Sequence, residues 1–197
     1  MNQHKKGHPI IVSYKKTQSK KFNLILVIGR EPNNNVKIIN KVGQYDFDKS
    51  PFCAFWNISY KLIGSIINLS VKEIKEKCRQ KKSSVILFAD ALPKPILNKI
   101  HSKNKIRRIS YMEEIEDHIN KIFEKSIIKR VKLILLSGLG DSVFKHSKEQ
   151  IKLFAKKRQI KISEVPFFYP SNFKKIILDK EDEEKIKQIY FSWTSIN

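Results

Sequence analysis

The chain is poor in the residues that build metal sites and disulfide frameworks. Its 197 residues include two cysteines, Cys53 and Cys78, which are too few for a zinc or iron–sulfur ligand set. The five histidines are scattered along the chain and do not supply the missing ligands. A chain of this length buries a sizeable core without cross-links, so both thiols are expected to be reduced. We expect no metal centre.

Long hydrophobic runs are also absent. No apolar stretch approaches the length that spans a membrane, and the run at 10–12 is far too short for a signal-peptide core. We therefore expect a cytoplasmic protein with no membrane partner.

Acidic residues are scarce, above all at the start of the chain. The first acid is Glu31, and residues 1–21 carry six lysines, two histidines and no acid. The whole chain has 40 lysines and arginines against 19 acids, a formal net charge of +21 that is typical of proteins that neutralise phosphates. This charge favours DNA as a partner, whereas nothing indicates a protein partner. A codon bias toward Lys, Ile and Asn is the alternative explanation.

The basic residues suggest how the chain is divided. We predict a basic arm over residues 1–21 and a single domain over residues 22–197, because no repeat, linker or composition shift divides the rest. The arm either follows a nucleic-acid backbone or is a solvated terminus. A second acid-free basic stretch, 98–108, is either a phosphate-contacting surface or a solvated loop.

Short apolar runs alternate with segments of helical periodicity along the domain. The runs lie at 24–28, 85–88, 131–136 and 161–167. The first three are continuous, as in strands that are buried on both faces of a parallel sheet. Alternating strands and helices imply right-handed parallel crossovers. The sequence therefore predicts an α/β fold, a three-layer α/β/α domain with a short four-stranded parallel sheet.

Capping residues indicate where the helices begin. Ser70 and Glu73 form one capping box, and Ser147 and Gln150 form another, so we expect helices to start at both places. Predicted helices run over 55–69, about ten residues after Ser70, 110–129, 147–158 and from Asp179 onward. His118 lies inside the third of these, where a structural role is expected.

The loops after the strands carry the polar residues of a candidate site. Gly29-Arg30-Glu31-Pro32-Asn33 directly follows the first strand, at the carboxyl end where open α/β sheets bind ligands. A polar loop containing Tyr45 leads to Pro51, which suits the first turn of a helix, and to the aromatic residues Phe55 and Trp56. An acid and aromatic rings therefore converge on one edge of the sheet. Asp90, after the second strand, either faces this edge or caps a turn.

These motifs resemble those of the uracil-DNA glycosylase superfamily, most nearly the branch with the mismatch-specific and hypoxanthine-DNA glycosylases. Gly29-Arg30-Glu31-Pro32-Asn33 is similar to the family's Gly-x-(Asp/Asn)-Pro loop. Gln44-Tyr45, Pro51 and Ala54-Phe55-Trp56 resemble its second segment, and Phe168-Tyr169-Pro170-Ser171-Asn172 resembles the His-Pro-Ser type loop that enters DNA. Order and rough spacing agree over about residues 22–173.

The resemblance implies the same fold and a DNA glycosylase that removes a damaged or deaminated base without a cofactor. Glu31 is the implied catalytic residue, which positions the attacking water, and Phe55 stacks on the flipped base. The implied base-binding residues are Gly29, Pro32, Tyr45, Phe55 and Ser137. The implied DNA-binding residues are Tyr169, Pro170, Ser171, Asn172, Lys174 and Lys175.

Three residues depart from the family pattern. Glu31 stands where Asp or Asn is usual, Tyr169 where many members have histidine, and Ser137 where the hypoxanthine branch has asparagine. These departures leave open an altered base preference, slow catalysis, or a catalytically inactive nucleic-acid-binding module of the same fold. A nucleotide-binding enzyme that uses the Gly-rich turn 137–142 is a more distant alternative, because the turn lacks a third glycine and the Lys-Ser/Thr pair.

Overall fold

The computed structural model describes residues 14–29, 54–93, 105–138, 144–166, 168 and 170–196. Within these ranges the chain forms six α-helices and four β-strands. They are α1 Lys15–Ser19, β1 Leu24–Gly29, α2 Ala54–Ile67, α3 Val71–Lys81, β2 Ile86–Asp90, α4 Lys105–Glu124, β3 Val131–Ser137, α5 Lys145–Lys157, β4 Lys161–Val165 and α6 Lys180–Ser195. Two 3₁₀ segments, Ser126–Arg130 and Pro170–Lys175, precede β3 and α6.

The four strands form one sheet in the order β2-β1-β3-β4, and every described pairing is parallel. All six residues of β1 are buried, whereas β4 at the edge has one buried residue in five. This difference explains why the first run is continuously apolar and the fourth is not. The predicted α/β fold with a four-stranded parallel sheet is confirmed, and the helices are compatible with three layers.

The helix boundaries confirm one capping prediction and contradict another. The Ser70 hydroxyl accepts a hydrogen bond from Glu73 N at 3.2 Å, and the Glu73 carboxylate accepts one from Ser70 N at 2.7 Å. The second capping box is wrong, because α5 begins at Lys145 and Ser147 lies buried inside it. Phe144, the residue just before α5, is fully buried. Because the Phe144 ring packs in the core, the helix starts before the position that Ser147 predicts.

Three other boundaries differ from the prediction, and one of them is the end of α4, which lies at Glu124 instead of residue 129. Helix α4 begins at Lys105, before the predicted start at Ser110, so the end of the basic stretch 98–108 is helical rather than a loop. Residues 105–110 contain no glycine or proline, and a helix can therefore extend through them without a cap. Strand β4 ends at Val165 instead of residue 167. The next residue is Pro166, which has no N–H to donate to the sheet.

The described part of the predicted basic arm packs on the domain. Thr17 is fully buried, and its hydroxyl oxygen accepts a hydrogen bond from Ser84 N at 2.8 Å. Arg130 donates from Nη1 to Thr17 O at 2.7 Å and from Nε to Phe22 O at 2.8 Å, and its guanidinium lies 4.6 Å from the centre of the Phe22 ring. Residues 14–22 are therefore part of the packed structure; residues 1–13 lie outside the described ranges.

A charged cluster joins the start of β4 to the start of α6. Lys161 Nζ lies 2.9 Å from Asp182 Oδ1, 2.9 Å from Glu181 Oε2 and 3.3 Å from Asp179 Oδ1. The Asp182 side chain is 3 % exposed, so Lys161 is the counterion of a buried carboxylate. Asp179 also caps α6 by accepting from Asp182 N at 2.7 Å. The cluster therefore fixes the last helix against the edge strand.

The cluster makes stability depend on pH. The pKa of Asp179 is lowered mainly by the hydrogen bond from Asp182 N and also by the Lys161 ammonium group. The same ammonium group lowers the pKa of Glu181. Glu181 and the neighbouring acids raise the pKa of Lys161. An acid whose pKa is lower in the folded than in the unfolded state stabilises the fold at pH values above its unfolded-state pKa. This stabilisation is lost as the pH falls through the folded-state pKa. The lysine contribution is lost only as the pH rises through its raised pKa, so the cluster stabilises the fold most around neutral pH.

Lys161→Met keeps the aliphatic stem of the side chain but removes the ammonium group from buried Asp182. We expect a loss of about 3 kcal/mol in the free energy of unfolding at neutral pH, measured by urea denaturation. The loss should shrink in acid, where Asp179 and Glu181 become protonated. The exposed Lys180→Met is the matched control and should change stability little. Equal stability of the two variants at neutral pH contradicts this role of Lys161.

Candidate functional site at the carboxyl edge of the sheet

The last residues of the four strands form a row, which we name the carboxyl edge: Gly29, Asp90, Ser137 and Val165. Gly29 pairs with Asp90, and Ser137 pairs with Val165. The β1–β3 register ends at Ile28 and Leu136, one residue before Gly29 and Ser137. Because β1, β3 and β4 are neighbours, the segments that follow them begin side by side.

Gly29 provides the starting point of the first loop. It is buried, and its carbonyl oxygen accepts a hydrogen bond from Ala91 N at 2.8 Å, which joins the ends of β1 and β2. Glu31, Pro32 and Tyr45 lie outside the described residues, so their predicted roles stay predictions. Phe55 lies in the first turn of α2, while its side chain is outside the described part of the structure.

Ser137 ties the end of β3 to the segment after β4. Its side chain is fully buried, and Oγ accepts a hydrogen bond from Phe168 N at 3.0 Å and donates one to Pro166 O at 3.2 Å. Beside it, Gly138 N donates to Val165 O at 3.0 Å, and Gly138 has a φ of 69°, in the left-handed region that favours glycine. Ser137 and Gly138 therefore hold the segment that leads into the 3₁₀ segment Pro170–Lys175.

The 3₁₀ segment is anchored at both ends. Phe168, just before it, is fully buried, so this aromatic residue of the third motif serves the core. Phe173 packs partly against the core, and Lys61 Nζ on α2 lies 4.4 Å from the centre of its ring. These contacts hold the segment on the domain.

The predicted DNA-binding residues are distributed along this segment. Ser171, Lys174 and Lys175 are exposed and Asn172 is half-buried. Tyr169 and the side chain of Pro170 lie outside the described residues. The exposed hydroxyl and ammonium groups are of the kind that bind phosphate oxygens. The segment thus presents a basic, polar surface beside the carboxyl edge.

Asp90 and His118 join the second strand to α4. His118 is 5 % exposed, and its Nε2 lies 2.8 Å from the carbonyl oxygen of Asp90. A carbonyl oxygen only accepts, so Nε2 carries the proton of this hydrogen bond. His118 therefore has the structural role that its position in the sequence predicts. Asp90 itself lies on the carboxyl edge beside Gly29.

Comparison with known proteins identifies no family for this chain. No protein-family model matches the chain, and no curated protein matches it. Within the described ranges, no group of three or more His, Cys, Asp and Glu side chains is placed to hold a metal ion. No described helix combines the length and apolar character needed to cross a bilayer.

Sequence reasoning missed the structural use of the Ser137 hydroxyl. The family resemblance implies base binding for this residue, and in the structure its hydroxyl contacts the backbone of two residues after β4. No local signal reveals such a contact, because its partners are about thirty residues away in the sequence. Any contribution of Ser137 to base binding stays a prediction.

Ser137→Ala removes the buried partner of Phe168 N–H without changing the apolar packing. We expect a loss of about 1–3 kcal/mol in the free energy of unfolding, because a buried donor is left without an acceptor. Amide exchange in the 3₁₀ segment should also become faster. The matched control is Ser147→Ala, since Ser147 is equally buried but its Oγ has no hydrogen-bond partner in the described part of the chain. A larger loss in the control than in Ser137→Ala contradicts the role given to Ser137.

Proposed function

We propose that this protein is a DNA glycosylase that hydrolyses the N-glycosidic bond of a damaged or deaminated base. One observation carries the proposal: strands β1, β3 and β4 end side by side, and two of the three glycosylase-like motifs begin at or beside these ends. The first motif begins at Gly29, at the end of β1, and the third begins at Phe168, in the segment that Ser137 fixes after β4. Open α/β sheets bind ligands at this edge.

The proposed chemistry needs few groups. The target base must leave the stack and be held by an aromatic ring, a role that we assign to Phe55. The bond breaks through a sugar with oxocarbenium character, which a nearby carboxylate stabilises. We assign Glu31 this electrostatic role and the positioning of the attacking water. Gly29, without a side chain, permits close approach of the backbone, and Pro32 and Tyr45 complete the base pocket. A hydrolysis of this kind requires no metal or organic cofactor.

The 3₁₀ segment supplies the proposed grip on DNA. The exposed Lys174 and Lys175 neutralise phosphates, while Ser171 and Asn172 donate hydrogen bonds to the backbone. Tyr169 and Pro170 precede them and serve as the wedge that fills the space of the extruded base. The contact of Lys61 with Phe173 helps to hold this segment on α2.

The engaged Ser137 hydroxyl favours a second candidate, a nucleic-acid-binding module without catalysis. This hydroxyl donates one hydrogen bond and accepts another within the protein, so its proton is already used and cannot be donated to the edge of a base. Both candidates bind DNA with an affinity that falls steeply as salt rises. They differ in excision, which an assay with oligonucleotides containing uracil, hypoxanthine or xanthine detects as strand breaks after alkali.

Glu31→Gln keeps the size of the side chain and its hydrogen bonding but removes the charge. We expect base excision to fall by at least about 100-fold, because a positioned carboxylate contributes a factor of that order, while DNA affinity stays nearly constant. The matched control is Glu124→Gln at an exposed position of α4. Undiminished excision by Glu31→Gln contradicts the catalytic assignment, and no excision by the unmodified protein on any substrate contradicts the glycosylase.

Phe55→Ala tests the stacking role separately. We expect binding of DNA with a flipped base to weaken by about 1–3 kcal/mol, the contribution of one base–aromatic stack. Phe191→Ala, at a ring that is 54 % exposed on α6, is the control for loss of a surface aromatic residue. If Phe55 is instead a core residue, the variant lowers the melting temperature and leaves the affinity of the folded protein unchanged.

A further inference from the structure

The two faces of the sheet carry different helices. Lys161 and Glu164 are three residues apart in β4, so their side chains leave opposite faces of the sheet. Lys161 contacts Asp182 on α6, whereas Glu164 forms ion pairs with Lys148 and Lys152 on α5. Helix α2 contacts α6 and the 3₁₀ segment that follows β4, and α4 contacts α5. The carboxyl edge therefore has two sides, which we name the α2 side and the α5 side.

The α2 side carries lysines without acidic partners. Lys61 is exposed and is the one charged residue of α2. Its Nζ lies 4.4 Å from the centre of the Phe173 ring, which is followed in the 3₁₀ segment by the exposed Lys174 and Lys175. A ring orients an ammonium group above its face but does not neutralise the charge. None of the three lysines forms an ion pair within the described part of the chain, so their charges are available to a ligand.

The α5 side has no such surplus of positive charge. The contact of His118 with the end of β2 places the middle of α4 at the carboxyl edge. There Lys121 forms an ion pair with Asp117, and on α5 Lys145 Nζ lies 3.9 Å from Glu149 Oε1. Residues 111–121 and 145–152, together with the acid of β4 that faces α5, contain six acids and four lysines. Phosphates are therefore attracted to the α2 side and not to these side chains.

We propose that the DNA backbone crosses α2 as well as the 3₁₀ segment, and that Lys61 is a phosphate-binding residue. The inference rests on the proposed function, which brings DNA to the carboxyl edge, and adds the path of the duplex. Three neighbouring phosphates of one strand span about 7 Å along the duplex axis. Lys174 and Lys175 lie about 2 and 4 Å beyond Phe173 at the rise of a 3₁₀ helix, and Lys61 extends this row onto α2.

Lys61→Met removes the ammonium group but keeps an aliphatic side chain on the Phe173 ring. The plot of log affinity against log salt should become less steep by about 0.9, the contribution of one phosphate contact, which corresponds to a loss of about 8-fold near 0.1 M salt. Fluorescence anisotropy with an undamaged duplex at several salt concentrations measures both values. Lys61→Arg keeps the charge and should keep the affinity, and Lys121→Met on the α5 side is the matched control that should bind as the unmodified protein does.

Labelling of lysines with an amine-reactive reagent measures the path of the duplex directly. At saturating duplex, Lys61, Lys174 and Lys175 should react more slowly, while Lys121 and Lys145 keep their rates. Slower reaction of Lys121 and Lys145 with an unchanged rate at Lys61 overturns the path across α2. Wild-type affinity and salt dependence in Lys61→Met overturn it as well. A lower affinity that Lys61→Arg does not restore, together with a lower melting temperature of both variants, shows that Lys61 only holds the segment and also overturns the proposal.

Failure of this inference can be distinguished from failure of the proposed function, because the binding experiments use undamaged DNA. If Lys61→Met binds the duplex normally while the protein excises a base, the path across α2 is overturned and the glycosylase stands. If Lys61→Met weakens binding while no base is excised from any substrate, the path is supported and the glycosylase is overturned. If the unmodified protein does not bind DNA even at low salt, both are overturned.

Discussion

The burial of β1 on both faces is the constraint on which the rest of the structure depends. Leu24 to Ile28 are fully buried between β2 and β3, and each such side chain contributes about 2 kcal/mol through removal from water. A central strand without a polar face requires packing on both of its sides. Placing β1 between β2 and β3 also places Gly29 in the middle of the carboxyl edge.

The sheet could be predicted because its signals are local. A continuous apolar run over 24–28 already indicates a buried parallel strand, and the partly alternating run at 161–167 already indicates weaker burial. Ser70 acts as predicted because both partners of its capping box lie within one turn. Ser147 has the same local pattern, and burial of Phe144 overrides it. Boundaries set by tertiary packing cannot be found from short patterns alone.

The candidate site could be predicted only in outline. The order of strand ends brings Gly29, Ser137 and the segment after β4 together, as alternation of strands and helices implies. The use of the Ser137 hydroxyl and the cation–ring contact of Lys61 with Phe173 could not be predicted, since each joins segments far apart in the sequence. High positive charge indicates a polyanion; it does not say on which surface the anion binds.

Hydrogen–deuterium exchange of the protein, alone and with a short duplex oligonucleotide, tests most directly whether DNA binds at the carboxyl edge. Slower exchange is expected at the amides of the 3₁₀ segment Pro170–Lys175, because the bound DNA backbone covers this surface. Exchange at the end of α5, which leads into the start of β4 at the opposite end of the sheet, should stay the same. Slower exchange confined to other surfaces, with the 3₁₀ segment unchanged at saturating oligonucleotide, would contradict this location of the functional site.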